Sequence, residues 1–159
     1  MTTRKDLTIE IVHTHQEIEV VRRLFREYAH SLPIDLTFQD FENELAFLSG
    51  YYQAPAGDLL LAHVKSHPAG VVGFRALERG ICEMKRLYVQ PAFRRLGIGK
   101  ALAVRVIDET KKRGYRIIRL DTLTSMDAAN FLYRELHFSP IPAYYANPYV
   151  NVIYYERQL

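Results

Sequence analysis

Cys82-Glu83-Met84-Lys85-Arg86-Leu87-Tyr88-Val89-Gln90-Pro91-Ala92-Phe93-Arg94-Arg95-Leu96-Gly97-Ile98-Gly99-Lys100 is the stretch whose reading decides the fold. Its first half reads as a strand, and Pro91 stops it. Its second half is a basic loop bearing Gly97 and Gly99. The spacing of Ile98, Leu102, Val106 and Ile107 then predicts a helix to Arg113, closed by Gly114. A strand, a glycine loop and a helix start place backbone N–H groups and positive charge where an anion can sit.

The charge pattern agrees. Residues 85–119 hold 11 Lys or Arg and 2 acids, a local +9, whereas the whole chain is +3 and the remainder therefore −6. A basic centre on an acidic chain suggests a local anionic ligand more than a nucleic-acid surface. Lys111, Lys112 and Arg113 suit a helix C-terminus. Arg94, Arg95 and Lys100 instead surround the glycines.

The 159 residues, 48% apolar and 25% charged, suit one ordinary globular domain over 1–159. No apolar run approaches the roughly 20 residues that span a bilayer. Met1-Thr2-Thr3-Arg4-Lys5-Asp6 has no apolar segment behind its charges, so no signal peptide is expected. The single cysteine, Cys82, leaves no internal disulfide, and a cytoplasmic location is expected. His63 and His67 flank a turn with no Cys or carboxylate constellation to join them, so no metal is expected.

Outward from the centre, residues 7–12 alternate as a strand. Thr14 and Glu17 form a capping box for a helix carrying Ile18, Val21, Leu24, Phe25, Tyr28 and Leu32, which Pro33 stops. Thr37 is expected to cap a second helix, with Phe38, Phe41, Leu45 and Leu48 as its stripe and Gly50 at its end. The runs 59–65 and 70–77, joined by a turn over 66–69, lead through Glu78-Arg79-Gly80 to the strand 81–89. Three successive antiparallel strands are expected. The strand 117–122 follows the central helix and should lie parallel to 81–89. Ser125 is placed to cap a helix over 126–136, and 150–157 is a last strand. The class is a mixed α/β, or α+β, sheet.

Two anion motifs fail on inspection. Gly99-Lys100 resembles the end of a P-loop, but that motif needs glycine at 94 and Ser or Thr at 101, where this chain has Arg94 and Ala101. Gly97-x-Gly99 resembles a dinucleotide fingerprint, but Leu102 stands at its third glycine position.

The combination Leu87-x-Val89-x-Pro91, then Arg94-x-x-Gly97-x-Gly99 opening a helix, resembles motif A of the GNAT superfamily of N-acetyltransferases. Asn130-x-x-Tyr133-x-x-x-x-Phe138 resembles its motif B. The order of elements matches across nearly the whole chain, and the full pattern looks like a bacterial branch of small stand-alone members. The resemblance implies the acyl-CoA N-acyltransferase fold: a central, mostly antiparallel sheet with a splayed parallel strand pair and helices on both faces. It implies acetyl-CoA as cosubstrate. The backbone of Leu87, Tyr88 and Val89 would then bind pantetheine. The amides of Arg95, Leu96, Gly97, Ile98, Gly99 and Lys100, with the charge of Arg94, would cradle the pyrophosphate. Asn130 would contact the coenzyme, and Tyr133 would be the acid that protonates the leaving thiolate. Tyr133 also fits the apolar stripe of its helix, so both roles stand.

Glu83, on the central strand, is the base candidate; pairing with Lys85 or Arg86 is its alternative. Uninterrupted alternation would put it on one face with Lys85, Leu87 and Val89. The family usually has Gly where this chain has His137, and His enters left-handed conformations more readily than most residues. The acceptor, a small-molecule or peptide amine, would be walled by residues 32–41, Tyr51, Tyr52, Arg75 and 144–147, and would meet Arg75, Tyr144 and Asn147. Arg75 would bind a carboxylate or form an internal salt bridge to Asp40 or Glu44. Cys82 has no His placed to activate it, so direct transfer is expected. A non-catalytic acyl-CoA-binding module is the alternative. Neither nucleic acid nor membrane is expected as a partner, and a homodimer is left open.

Overall fold

A computed structural model describes residues 6–159. The charged start at residues 1–5 lies outside the described residues. Among the described residues seven strands form one sheet in the order β1-β2-β3-β4-β5-β7-β6. They are β1 (Leu7–Ile11), β2 (Asp58–Val64), β3 (His67–Glu78), β4 (Ile81–Val89), β5 (Ile117–Leu123), β6 (Ser139–Ile141) and β7 (Val152–Gln158). Every pairing is antiparallel except β4 with β5. The helices among the described residues are α1 (His15–Ser31), α2 (Phe41–Ala46), α3 (Leu48–Tyr51), α4 (Ile98–Lys112) and α5 (Asp127–Glu135). Among the same residues no helix is long and apolar enough to cross a membrane.

Strand alternation divides the core in two. Leu60, Ala62, Val72, Phe74, Cys82 and Met84 face α4 and α5 and pack on Ile98, Leu102, Val106 and Tyr133. Leu59, Leu61, Val71 and Tyr88 face α1, α2 and α3 and pack on Val21, Leu24, Phe25, Leu45 and Leu48. The expected capping box is present, with Glu17 N–H on Thr14 Oγ1 at 3.1 Å and Thr14 N–H on Glu17 Oε1 at 2.8 Å.

The second helix differs from its expectation. A 3-10 turn spans Leu36–Gln39, and two short helices follow, broken by Asp40 at φ 59° and Phe47 at φ −133°. Asp35, not Thr37, caps the turn, accepting from Thr37 N–H at 2.9 Å. Gly50 lies inside α3 rather than ending a helix. The breaks let Leu36, Phe41, Leu45 and Leu48 all reach the core, while Phe38 and Gln39 line a cleft beside it. Ser125 does not cap α5 with its side chain. The turn between β2 and β3 is tighter than expected, with Lys65 and Ser66 at φ 49° and 70°.

The alternation of β4 is interrupted. Val71 pairs with Tyr88 but Gly73 pairs with Lys85, so β4 carries an extra residue. Arg86 stands there at φ 62°. This bulge corrects the shared face expected for Glu83, Leu87 and Val89. Leu87 and Val89 pack with α4, whereas Lys85 and Arg86 turn toward α3 and α2, onto Tyr51 and Glu44.

Candidate active site

β4 and β5 pair only at Ile81–Ile117, Cys82–Ile118 and Glu83–Arg119. Beyond these the strands part. The bulge at Arg86 bends β4, and its edge from Met84 onward has no partner in β5. The cleft so opened is walled by Met84, Lys85, Arg86 and Leu87 on one side and by Leu120, Asp121, Thr122 and Leu123 on the other. Tyr133 of α5 closes one face. Tyr28 and Leu32, at the end of α1, and Gln39 of the 3-10 turn lie on the other.

The glycine loop stands at the end of β4. Arg95 and Gly97 are left-handed, at φ 65° and 77°. The first α-helical hydrogen bond of α4 is Ala101 N–H to Gly97 O at 3.0 Å, so Ile98, Gly99 and Lys100 present the free amides of a helix N-terminus. Leu96 and Gly97 N–H donate to no group among the described residues. A Cβ on Gly99 would meet only Val89 Cγ2, at 3.8 Å. The fold therefore does not itself require glycine there, and the missing side chain leaves the approach to these amides open.

The surrounding cations divide. Arg94 donates to Val89 O at 3.1 Å, and Lys100 is tied to Glu135. Arg95 is exposed and makes no ion pair among the described residues. Much of the basic surplus is internal: Arg86 pairs with Glu44, Arg113 with Asp58 and Glu109, and Arg119 with Glu156.

Tyr133 is 6% exposed and lines the cleft. Its hydroxyl makes no hydrogen bond among the described residues, and burial holds its pKa above the ordinary phenol value. It also packs edge-on against Phe138, as the apolar-stripe reading expects. Asn130 is buried and its amide is fully engaged. It donates to Leu123 O at 3.0 Å and Met126 O at 2.8 Å, and accepts from Tyr155 at 2.7 Å. This residue ties β5, α5 and β7 together. His137 takes the left-handed turn at φ 67° and is exposed.

Two carboxylates flank the splay, and the loop after β6 supplies a tyrosine to each. Tyr144 donates to Glu83 Oε2 at 2.7 Å, and Tyr145 donates to Asp121 Oδ2 at 2.6 Å. Both phenols are held far above their ordinary range, first by burial and then by the neighbouring carboxylate charge. Loss of solvent raises the Asp121 carboxyl; the Tyr145 hydrogen bond opposes this and the charge of Glu83 adds to it. Glu83 also faces Lys85 Nζ at 3.7 Å. Asn147 lines the cleft and donates to Tyr145 at 3.2 Å.

Arg75 forms neither of the expected salt bridges. Glu44 belongs to Arg86, and the Arg75 guanidinium stacks on Tyr51, 4.3 Å from the ring centroid. It makes no ion pair among the described residues and does not line the cleft.

Sequence reasoning missed Asp121, and it placed Gln39 and Tyr145 only within the stretches 32–41 and 144–147 expected to wall the acceptor site, without singling them out. Asp121 had a readable signal, the lone acid in the strand read at 117–122. Gln39 had none, because it sits in a turn whose apolar spacing reads as regular helix.

This geometry is that of the acyl-CoA N-acyltransferase fold. Residues 19–138 match the model of the acetyltransferase (GNAT) family, and the chain belongs to that family. It is 34% identical to an uncharacterized N-acetyltransferase of Schizosaccharomyces pombe, covering 100% of this chain and 99% of that one. It is 30% identical to the N-acetylaspartate synthetase of Danio rerio over 70% of this chain and 41% of that protein. Among solved structures, an acetyltransferase from Streptococcus agalactiae superposes with a TM-score of 0.80 at 18% identity, covering 98% of this chain and 99% of that one. An acetyltransferase of Salmonella typhimurium, solved with acetyl-CoA, superposes with a TM-score of 0.74 at 18% identity, over 96% and 94% of the two chains.

Proposed function

We propose that the protein transfers an acetyl group from acetyl-CoA directly to the nitrogen of a primary amine on a small molecule or peptide. The observation that carries this reading is the splay of β4 from β5 with Tyr133, whose hydroxyl has no partner among the described residues, lining it. The residues present fit acetyl-CoA. The unpaired edge of β4 offers backbone groups to pantetheine amides. The free amides from Leu96 to Lys100, with Arg95 beside them, suit a pyrophosphate.

Acetyl-CoA supplies the acetyl group as a thioester. A carboxylate of the Glu83 and Asp121 pair takes the amine's proton, and Asp121 is the one of the two that lines the cleft. The freed nitrogen lone pair attacks the carbonyl carbon, the adduct gives its second N–H proton to solvent, and the carbon–sulfur bond breaks as the carbonyl re-forms. Tyr133 gives its hydroxyl proton to the departing sulfur. Its raised pKa keeps it protonated, as a proton donor must be. The amide and the free thiol leave, solvent returns a proton to Tyr133, and the carboxylate releases its proton to solvent.

A second reading is an amino-acid acceptor. One relative is named as an N-acetylaspartate synthetase, and Arg75, which makes no ion pair among the described residues, would suit a carboxylate if it swung from Tyr51 to the cleft. A panel of amines and amino acids, with free thiol release from acetyl-CoA as readout, tests the activity. Thermal stabilisation by coenzyme A without thiol release from any acceptor would favour an acyl-CoA-binding module instead.

A further inference from the structure

We propose that Gln39, Tyr145 and Asp121 form the receiving site for the acceptor's ammonium group, and that this site selects a monocationic primary amine on an apolar body over a zwitterionic amino acid. The inference rests on the acetyl-transfer reading above. Tyr145 fixes the polarity of the site. Its hydroxyl has one proton, given to Asp121 Oδ2 at 2.6 Å. It can therefore only accept from Gln39 Nε2 and Asn147 Nδ2, at 3.0 and 3.2 Å. That orientation turns Gln39 Oε1 away from Tyr145. Oε1 is buried and has no hydrogen-bond partner among the described residues. A buried carbonyl oxygen without a donor is unfavourable, and a ligand N–H relieves it. Gln39 and Asp121 both line the cleft, and an amide oxygen without a donor together with a carboxylate suits an ammonium, which reaches Oε1 once the Gln39 side chain shifts toward the ligand.

The charges choose between amines. The charged residues lining the cleft are Lys85, Arg86 and Asp121. Arg86 is neutralised by Glu44 and Lys85 by Glu83. Asp121 makes no ion pair among the described residues. The cleft is therefore short of one positive charge, which a monocation supplies and a zwitterion does not. Arg75 is turned onto Tyr51 outside the cleft. Leu32, Ile34, Leu36 and Phe38 wall the remaining side and suit an apolar body.

The test compares phenethylamine with phenylalanine, which differ by one carboxylate, using thiol release from acetyl-CoA. The expected kcat/KM for phenethylamine is higher by about tenfold or more, because a second carboxylate would meet Asp121 uncompensated. Gln39→Leu should raise the KM for phenethylamine about tenfold, as for loss of one charge-assisted hydrogen bond. The KM for acetyl-CoA and the thermal shift with coenzyme A should stay unchanged. Tyr145→Phe should give the same split, and it serves if Gln39→Leu fails to fold. Equal or better turnover of phenylalanine, or an unchanged amine KM in a folded Gln39→Leu or Tyr145→Phe, overturns the inference and leaves the acetyl-transfer reading standing. No thiol release from any amine, with coenzyme A still bound, overturns both.

Discussion

Arg86 stands at φ 62° inside β4 and gives its guanidinium to Glu44, with Nε 3.2 Å from Oε2 and Nη2 2.9 Å from Oε1. Tyr52 adds a hydroxyl to Glu44 Oε2 at 2.8 Å, and Glu44 is 1% exposed. The residue that makes the bulge is thus anchored to α2, so that helix holds open the splay. Glu44→Ala leaves the guanidinium buried without its partner. Chemical unfolding should show a loss of about 3–5 kcal/mol. Glu44→Leu with Arg86→Met should recover a large part of it, while acetyl transfer stays low because the bulge has lost its anchor.

Cys82 is 0% exposed, and burial pushes its thiol up to about 12. It is protonated at neutral pH and closed to reagents. Iodoacetamide should therefore leave the native chain unlabelled at pH 8 and add one group once it is unfolded. No acetylated enzyme should appear in the mass spectrum during turnover, and Cys82→Ala should retain activity at a cost of about 1 kcal/mol in stability. A trapped acetyl-Cys82 would contradict direct transfer.

Gly99 separates stability from binding. A Cβ there meets only Val89 Cγ2, at 3.8 Å, and alanine is the better helix former by about 1 kcal/mol. Gly99→Ala should keep its melting temperature or gain about 2–4 °C. Its stabilisation by coenzyme A should fall, because a methyl group then covers the amides of the loop. Gly97→Ala should instead lose stability, by about 1–2 kcal/mol, because Gly97 sits at φ 77°.

Much of this was legible in the chain. The order of elements, the one parallel pair and the loop from Arg94 to Lys100 follow from periodicity and from glycine and proline placement. The resemblance implied a splay of this strand, but the place of the bulge, at Arg86, was not legible, because Arg carries no signal for a left-handed residue in a strand. Its cause is tertiary, the buried Glu44 it must reach. The broken second helix was hidden for a related reason: the spacing of Phe38, Phe41, Leu45 and Leu48 is helical, and only Asp40 turning left-handed sends Gln39 into the cleft. The tyrosine-to-acid bonds of Tyr144 and Tyr145 join residues far apart in the chain, which no local pattern can display. Asn130 shows the converse case, a motif residue whose amide is engaged in joining three elements.

Asp121 sets the acidic limb of the pH profile in this account. Its carboxyl is raised above its ordinary value near 4 by burial and by Glu83, and it must be ionised to accept a proton. Lowering pH protonates it and turns transfer off at a higher pH than an exposed aspartate would. The limb of kcat/KM that belongs to Asp121 should therefore lie above the usual aspartate range, and Asp121→Asn should remove it and lower the plateau by about 10²–10⁴-fold. A pH profile unchanged by that substitution would assign the proton elsewhere, with Glu83→Gln as the next variant to measure.

The central claim is that Tyr133 delivers the proton to the leaving thiolate in the cleft between β4 and β5. Tyr133→Phe keeps the ring and its packing against Phe138 and removes only a hydroxyl without a hydrogen bond among the described residues. The decisive measurement is kcat for thiol release by this variant, with the thermal shift in coenzyme A taken on the same sample. The account predicts a fall in kcat of about 10²-fold or more with coenzyme binding and melting temperature retained. An unchanged kcat in a folded, coenzyme-binding variant would contradict it.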